Sequence, residues 1–156
     1  LQSGELSRDD VTIKNSVRFV EALVAAGVLC YLASGTDQQD VRDEASVIGY
    51  THLFKGGIYG AVGDVSRDAK REVLNRILAD IGDLHGRAVT FGDGPVEIRE
   101  TRRQGGITIG VASDEIRRYG LNQVKRSRLI RAGAHAIIPD FSQMDATLKL
   151  LSLGPR

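Results

Sequence analysis

The sequence is poor in cysteine, with Cys30 as the only one among 156 residues. A single cysteine excludes an intrachain disulfide, and its place within the apolar run of residues 27–32 favours a buried core thiol. A reducing compartment fits this composition, and we expect the protein to be cytoplasmic.

Long apolar runs are also lacking. No stretch approaches the length that a bilayer-spanning helix needs, and residues 1–5 have neither the basic nor the apolar region of a secretory signal. We therefore expect no membrane partner. The first residue is leucine rather than methionine, and we expect further sequence upstream.

The chain has almost no excess of either charge, since 21 lysines and arginines face 20 acidic residues and the net charge is +1. This balance provides no overall field for nucleic acid, so we expect no nucleic-acid partner and only a local anion site. With 42% hydrophobic and 26% charged residues, the composition is that of a soluble globular domain. Nothing in it indicates an oligomeric state.

Short apolar runs alternate with amphipathic segments along the chain. The pattern predicts strands over residues 28–33, 51–54, 88–91, 107–111 and 136–138. It predicts helices over residues 16–26, 36–48, 70–81, 95–104, a stretch that ends near 133, and 142–151. Such alternation predicts an α/β fold, a Rossmann-like three-layer α/β/α sandwich with a mainly parallel sheet. We interpret residues 1–14 as a loop or a return from an upstream segment, and residues 15–156 as one incomplete core domain.

Two polar clusters follow predicted strands, where ligands bind in open parallel sheets. In the first, Ser34, Gly35 and Thr36 lie between a strand and a helix. Free N–H groups, a hydroxyl and a glycine that allows close approach favour a bound phosphate. The alternative is an ordinary strand-to-helix turn with Thr36 as the N-cap.

In the second cluster, Asp93 and Glu97 flank the start of a helix directly after a buried strand. Hard cations such as Mg²⁺ prefer oxygen ligands, often one or two carboxylates with water and substrate phosphate. The alternative is that both carboxylates only complement the helix dipole.

Together, these stretches resemble the haloacid dehalogenase-like superfamily, in which a hydroxyl residue, a lysine and a Gly-Asp-x-x-x-Asp motif follow in order. Residues 33–36 match the hydroxyl motif, and residues 92–97 match the acidic motif with glutamate as the second acid. The resemblance implies that Ser34 binds phosphate and that Asp93 and Glu97 bind Mg²⁺. It implies an active-site lysine, which is either Lys70 or, as second choice, Lys55.

One departure from the family is that no Asp-x-Asp motif occurs in the chain. In the family, the first of these aspartates attacks phosphorus from a strand between the hydroxyl-bearing and acid-bearing strands. Asp9-Asp10 has no buried strand before it, and we interpret it as loop. We therefore expect the nucleophile on an upstream strand, with a slot in the sheet where that strand belongs; direct pairing of the flanking strands would contradict this.

Other polar residues receive the plainer interpretation. The three histidines, His52, His85 and His135, are scattered and not at metal-ligand spacing, so we interpret them as surface or hydrogen-bonded residues. A solvated helix face is the interpretation for the basic run Arg117-Arg118-Tyr119, Lys125-Arg126-Ser127-Arg128 and Arg131. The alternatives are binding of a phosphate-rich partner, with the one aromatic ring stacked on a base, and a substrate-binding role.

The resemblance implies a Mg²⁺-dependent phosphohydrolase that acts on a small phosphorylated metabolite such as a sugar phosphate, through an aspartyl-phosphate whose aspartate lies outside this chain. A phosphosugar mutase and a non-catalytic phosphate-binding or regulatory domain are the alternatives.

Overall fold

The computed structural model describes residues 7–63, 68–84 and 87–152. The strands are β1 (Tyr31–Asp37), β2 (Gly57–Ala61), β3 (Val89–Gly92), β4 (Ile107–Val111) and β5 (Ala136–Ile138). The helices are α1 (Arg8–Val11), α2 (Ser16–Ala25), α3 (Gln38–Ile48), α4 (Ala69–Ile81), α5 (Pro95–Arg103), α6 (Gln123–Ala132) and α7 (Met144–Leu150), with a short 3₁₀ helix at Thr51–Leu53.

Every pairing between these strands is parallel. β1 pairs with β2 in one sheet, and β3, β4 and β5 follow in that order in a second sheet. A parallel pair needs a crossover between its strands, and α3, α5 and α6 occupy those crossovers. The predicted α/β fold with parallel strands and flanking helices is confirmed.

The helices begin and end where local chemistry dictates. Pro95 is the first residue of α5, a position at which its missing N–H is not needed. Gly49 and Gly133 adopt the left-handed conformation at the ends of α3 and α6, with φ of 86° and 102°. The predicted bounds of β4 and β5 match the structure, and those of α4 and α5 match to within one residue.

An aromatic group joins α2 to the three-stranded sheet. Phe19 of α2 is 1% exposed and packs against Phe91 of β3 and Phe141, with ring centroids 5.2 and 4.9 Å away. Cys30 belongs to the same cluster, so the prediction of a buried core thiol is confirmed. Burial raises the pKa of the Cys30 thiol above its usual value.

The first sheet differs from the predictions. β1 begins at Tyr31 rather than at residue 28 and continues through the segment that was predicted to be a turn. The N-cap of α3 is Asp37, whose side chain accepts the N–H groups of Gln39 and Asp40, so the prediction of Thr36 as N-cap is wrong. Parallel pairing of Asp37 with Ala61 extends the strand to that point.

The sequence-based prediction for the second strand of that sheet is also wrong. Residues 51–54 hold a 3₁₀ helix instead of a strand, and the glycine-rich segment that follows contains β2. Glycine is required there, because a Cβ on Gly60 would lie 2.5 Å from the Cα of Gln38 and 2.7 Å from the carbonyl oxygen of Thr36. Asp9 and Asp10 lie in the single turn of α1 rather than in a loop.

The two sheets do not pair with each other in the described part of the chain. None of the residues of β1 is buried, whereas Ile58, Gly60 and Ala61 of its partner β2 are. An inner strand of a parallel sheet is normally the more buried one. β1 thus has an open edge on the side away from β2, as expected if a neighbouring strand is missing. Across the described residues, no helix is long and apolar enough to cross a membrane.

Candidate functional site

Two hydroxyl groups meet at the carboxyl end of β1. The Oγ of Ser34 lies 2.9 Å from the Oγ1 of Thr36 and accepts the N–H of Thr36 at 3.2 Å. The pairing of β1 with β2 is irregular between Ala33 and Asp37, so this segment departs from regular ladder geometry. Ser34 is half-buried and Thr36 is exposed, which leaves both hydroxyls within reach of a ligand.

Gly35, between the two hydroxyl residues, contacts the first turn of α4. A Cβ at residue 35 would lie 3.2 Å from the Cβ of Lys70, closer than most side chains pack. The absence of a side chain at Gly35 therefore brings the start of α4 against the end of β1. This contact fixes the position of the Lys70 backbone relative to the end of β1.

Lys70 extends from that contact to the two carboxylates of the acidic cluster. Its Nζ lies 3.0 Å from Oε1 of Glu97 and 3.9 Å from Oδ1 of Asp93. The same lysine therefore lies against the end of β1 with its Cβ and backbone, and reaches the residues after β3 with its ammonium group. Within the described residues, Lys55 has no ion pair, so the contacts favour Lys70 of the two candidates.

Glu97 is buried in the first turn of α5 and is 6% exposed. Its Oε1 accepts the N–H of Gly94 at 2.8 Å as well as the ammonium group of Lys70. Its Oε2 is buried and has no hydrogen-bond partner among the residues that the structure describes. A buried carboxylate oxygen without a partner is costly unless a further group binds it.

A metal cation is one group that could bind this oxygen. Asp93 and Glu97 together provide two carboxylates, which is the number that Mg²⁺ commonly takes from a protein when substrate phosphate and water complete its coordination. Groups of three or more histidine, cysteine or acidic side chains placed for a metal ion do not occur within the described segments. The residues fit a Mg²⁺ site completed by other ligands and do not form a closed cage.

Lys125 lies beside these carboxylates, although the sequence favours a solvated helix face for its stretch and gives a substrate-binding role only as an alternative. Its side chain is 13% exposed, and its Nζ lies 3.8 Å from Oδ2 of Asp93 and 3.1 Å from Oε1 of Glu115. The prediction of a solvated face is therefore wrong for this lysine. Its position in the sequence is one signal that could have located it. Lys125 lies in the first turn of the helix that follows β4, and β4 is the parallel neighbour of β3. Parallel neighbouring strands end at the same edge, so residues after β4 are expected near those after β3.

Five charged side chains of alternating sign thus run across the site, in the order Glu97, Lys70, Asp93, Lys125 and Glu115. We call this row the ion-pair series. Each lysine has one close partner, at 3.0 or 3.1 Å, and lies farther from the central Asp93, at 3.9 or 3.8 Å. Asp93, whose side chain is 52% exposed, is therefore the least tightly held of the carboxylates and can accept a ligand.

The histidines lie outside this arrangement. His135 contacts β4, where its Nδ1 accepts the N–H of Thr108 at 3.0 Å, in agreement with a hydrogen-bonded structural residue. His52 lies in the 3₁₀ helix and is exposed. His85 lies outside the described residues.

Comparison with known structures shows the same fold in several solved proteins. A predicted phosphatase from Clostridium acetobutylicum superposes with a TM-score of 0.69 at 16% identity, over 87% of this chain and 59% of that one. A HAD family hydrolase from Deinococcus radiodurans R1, with bound phosphate and sodium, gives 0.68 at 21% identity, over 90% and 60% of the two chains.

A predicted phosphoglycolate phosphatase from Haemophilus somnus 129PT gives a TM-score of 0.65 at 19% identity, over 88% of this chain and 56% of that one. The chain thus spans about three fifths of the length of these structures. No model of a protein family matches the sequence, and no curated protein does. The likeness confirms the expected fold.

Proposed function

We propose, taking the fold of haloacid dehalogenase-like hydrolases as the premise, that the chain is part of a Mg²⁺-dependent phosphohydrolase of the cytoplasm that acts on a small phosphorylated metabolite. The observation that carries the proposal is the reach of Lys70, which contacts Gly35 at the end of β1 and both carboxylates after β3. A hydroxyl pair at the end of β1, a carboxylate pair after β3 and a lysine that reaches from one to the other can together bind a phosphate and a metal ion.

Each residue has a distinct role in this proposal. The hydroxyls of Ser34 and Thr36, with the backbone of Gly35, bind the phosphoryl oxygens, and the ammonium group of Lys70 neutralises their charge. Asp93 and Glu97 hold the metal ion. When bound, Mg²⁺ polarises a phosphoryl oxygen and stabilises the negative charge that develops there.

The nucleophile of this reaction is proposed to lie outside the 156 residues. The carboxylate of an attacking aspartate would form a bond to phosphorus as the bond to the ester oxygen breaks and the alcohol leaves with a proton. Water would then hydrolyse the aspartyl-phosphate to inorganic phosphate and the free aspartate. The open edge of β1 and the absence of pairing between the two described sheets support a further strand in that position, ending in the aspartate. The three residues that bind phosphate and the two that bind the metal would then surround its carboxyl end.

The test is an assay of p-nitrophenyl phosphate hydrolysis with Mg²⁺. Extended by its natural upstream reading frame, the protein should hydrolyse the ester, and Asp93→Asn should lower kcat/KM by roughly 100-fold or more. Glu44→Gln, an exposed carboxylate on α3, is the matched control and should leave the rate unchanged. The 156-residue chain alone should be inactive.

Two results would contradict the proposal in different ways. Hydrolysis by the 156-residue chain alone would show that it contains its own nucleophile. A folded extended protein that binds inorganic phosphate but hydrolyses no ester would instead support the non-catalytic, phosphate-binding alternative.

A further inference from the structure

Lys125 is a cation that the proposed reaction does not use. Lys70 already supplies the positive charge beside the phosphate, yet a second ammonium group lies on the other side of Asp93, 3.8 Å from Oδ2. The two lysines approach different oxygens of the same carboxylate, since Lys70 lies 3.9 Å from Oδ1.

The place of Lys125 within its helix is unfavourable for a positive charge. It lies in the first turn of α6, where the helix dipole repels a positive charge, and that turn contains no acidic residue. Its side chain is 13% exposed, so much of its hydration is lost as well. A half-buried lysine that two carboxylates hold in place against the dipole of its own helix is more typical of a functional site than of a solvated surface.

Neither lysine is within hydrogen-bonding distance of Asp93, and each lies closer to another carboxylate. Lys125 is 3.1 Å from Glu115, whose side chain is 74% exposed. Asp93 therefore experiences the charge of Lys125 without being tied to it by a short contact. A cation that binds Asp93 must approach against this charge.

We propose that Lys125 competes with the metal ion for Asp93 and thereby lowers the affinity of the site for a divalent cation. The inference rests on the proposed function, since it takes Asp93 as a metal ligand. It assigns Lys125 a positioning role through Asp93, with no contact to the reacting atoms. When a divalent cation binds Asp93, the ammonium group of Lys125 keeps its ion pair with Glu115.

The test uses the chain itself and Mn²⁺ as a paramagnetic probe, with the free ion measured by electron paramagnetic resonance. Lys125→Met should tighten Mn²⁺ binding by roughly three- to tenfold at low salt, because one positive charge next to a dication is removed. Lys125→Arg keeps the charge and should bind as the wild type does. Lys149→Met removes the same charge from an exposed position on α7 and is the matched control.

Asp93→Asn separates this inference from the proposed function. If the wild type binds Mn²⁺ and Asp93→Asn does not, the metal site stands, and tighter binding by Lys125→Met supports the competition. If Asp93→Asn loses binding but Lys125→Met binds as the wild type does or more weakly, only the competition is overturned. If the folded wild-type chain does not bind Mn²⁺, or Asp93→Asn binds it equally well, both the competition and the proposed metal site are overturned.

Discussion

At the scale of single residues, Glu97 shows how the site is held together. A carboxylate that is 6% exposed loses most of its hydration and needs hydrogen bonds or a counter-charge in return. Gly94 and Lys70 supply both to one oxygen, and no described residue forms a hydrogen bond with the other oxygen. The residue therefore contributes to folding, through the start of α5, and to the charge of the site.

Replacing Glu97 with alanine should lower the free energy of unfolding by about 1–3 kcal/mol, because the N–H of Gly94 and the ammonium group of Lys70 both lose their close acceptor. Urea denaturation measures this difference. Glu44→Ala, on the exposed face of α3, should change the stability by less than about 0.5 kcal/mol. Equal stabilities of the two variants would contradict the role given to Glu97.

Sequence alone locates some of these residues. Ser34, Asp93 and Glu97 are predicted as site residues because polar residues after apolar strands are expected at one edge of a parallel sheet. Lys125 could not be found in this way, because a lysine within a basic stretch has the composition of a solvated helix face. Its burial comes from the contact of α6 with residues that are distant in sequence.

At the scale of structural elements, Asp140 joins two segments that are separate in the sequence. Its carboxylate accepts the N–H of Gly120 at 2.9 Å and the N–H of Ser142 at 2.8 Å, and so connects the loop after β4 to the segment before α7. Burial by itself would raise the pKa of Asp140. The hydrogen bonds from Ser142 and Gly120, with the charge of Lys14, outweigh burial, and the pKa is lowered.

A lowered pKa gives the pH dependence a definite sign. The contribution of Asp140 to stability should be complete above its unfolded value of 3.8 and should be lost as the pH falls through the lower folded value. Asp140→Asn should therefore be less stable than the wild type at neutral pH, by about 1–3 kcal/mol. The difference should shrink at about pH 3.

Urea denaturation at the two pH values measures this effect. Asp145→Asn, on the exposed side of α7, is the matched control and should follow the wild type at both pH values. A difference between Asp140→Asn and the wild type that is the same at both pH values would show that the charge of Asp140 is not responsible.

The same scale shows where sequence patterns succeed. β4, β5 and α5 are short runs bounded by glycine or proline, and their predicted bounds hold to within one residue. β2 was missed because Gly57 and Gly60 interrupt its apolar pattern, although Gly60 is needed for its close packing on residues 36–38. β1 was placed too early because its last residues are polar and are held in the strand by pairing with β2.

At the scale of the whole molecule, the described strands form two separate sheets. β4 is paired on both sides, by β3 and β5, whereas β1 is paired with β2 alone. Amide hydrogen exchange should reflect this difference. The amides of β4 should exchange more slowly than those amides of β1 that point away from β2, by roughly tenfold or more.

The extended protein of the proposed function provides a sharper comparison. If an upstream strand enters between β1 and β3, amides of both strands should become slow to exchange, whereas those of β5 should not change. β5 is the internal control, since it lies at the far edge of its sheet. Unchanged exchange in β1 and β3 would show that no strand enters there.

The placement of α4 links the entry of a strand between the two sheets to the chemistry of the site. α4 packs on β1 and β2, but Lys70 at its beginning reaches the carboxylates that follow β3 in the other sheet. Any movement of one sheet relative to the other must therefore lengthen or shorten the lysine-to-carboxylate distances. The distance from Lys70 to these carboxylates therefore depends on the spacing of the two sheets. A ¹⁵N label on the ammonium group of Lys70 would report a change in that spacing from within the site.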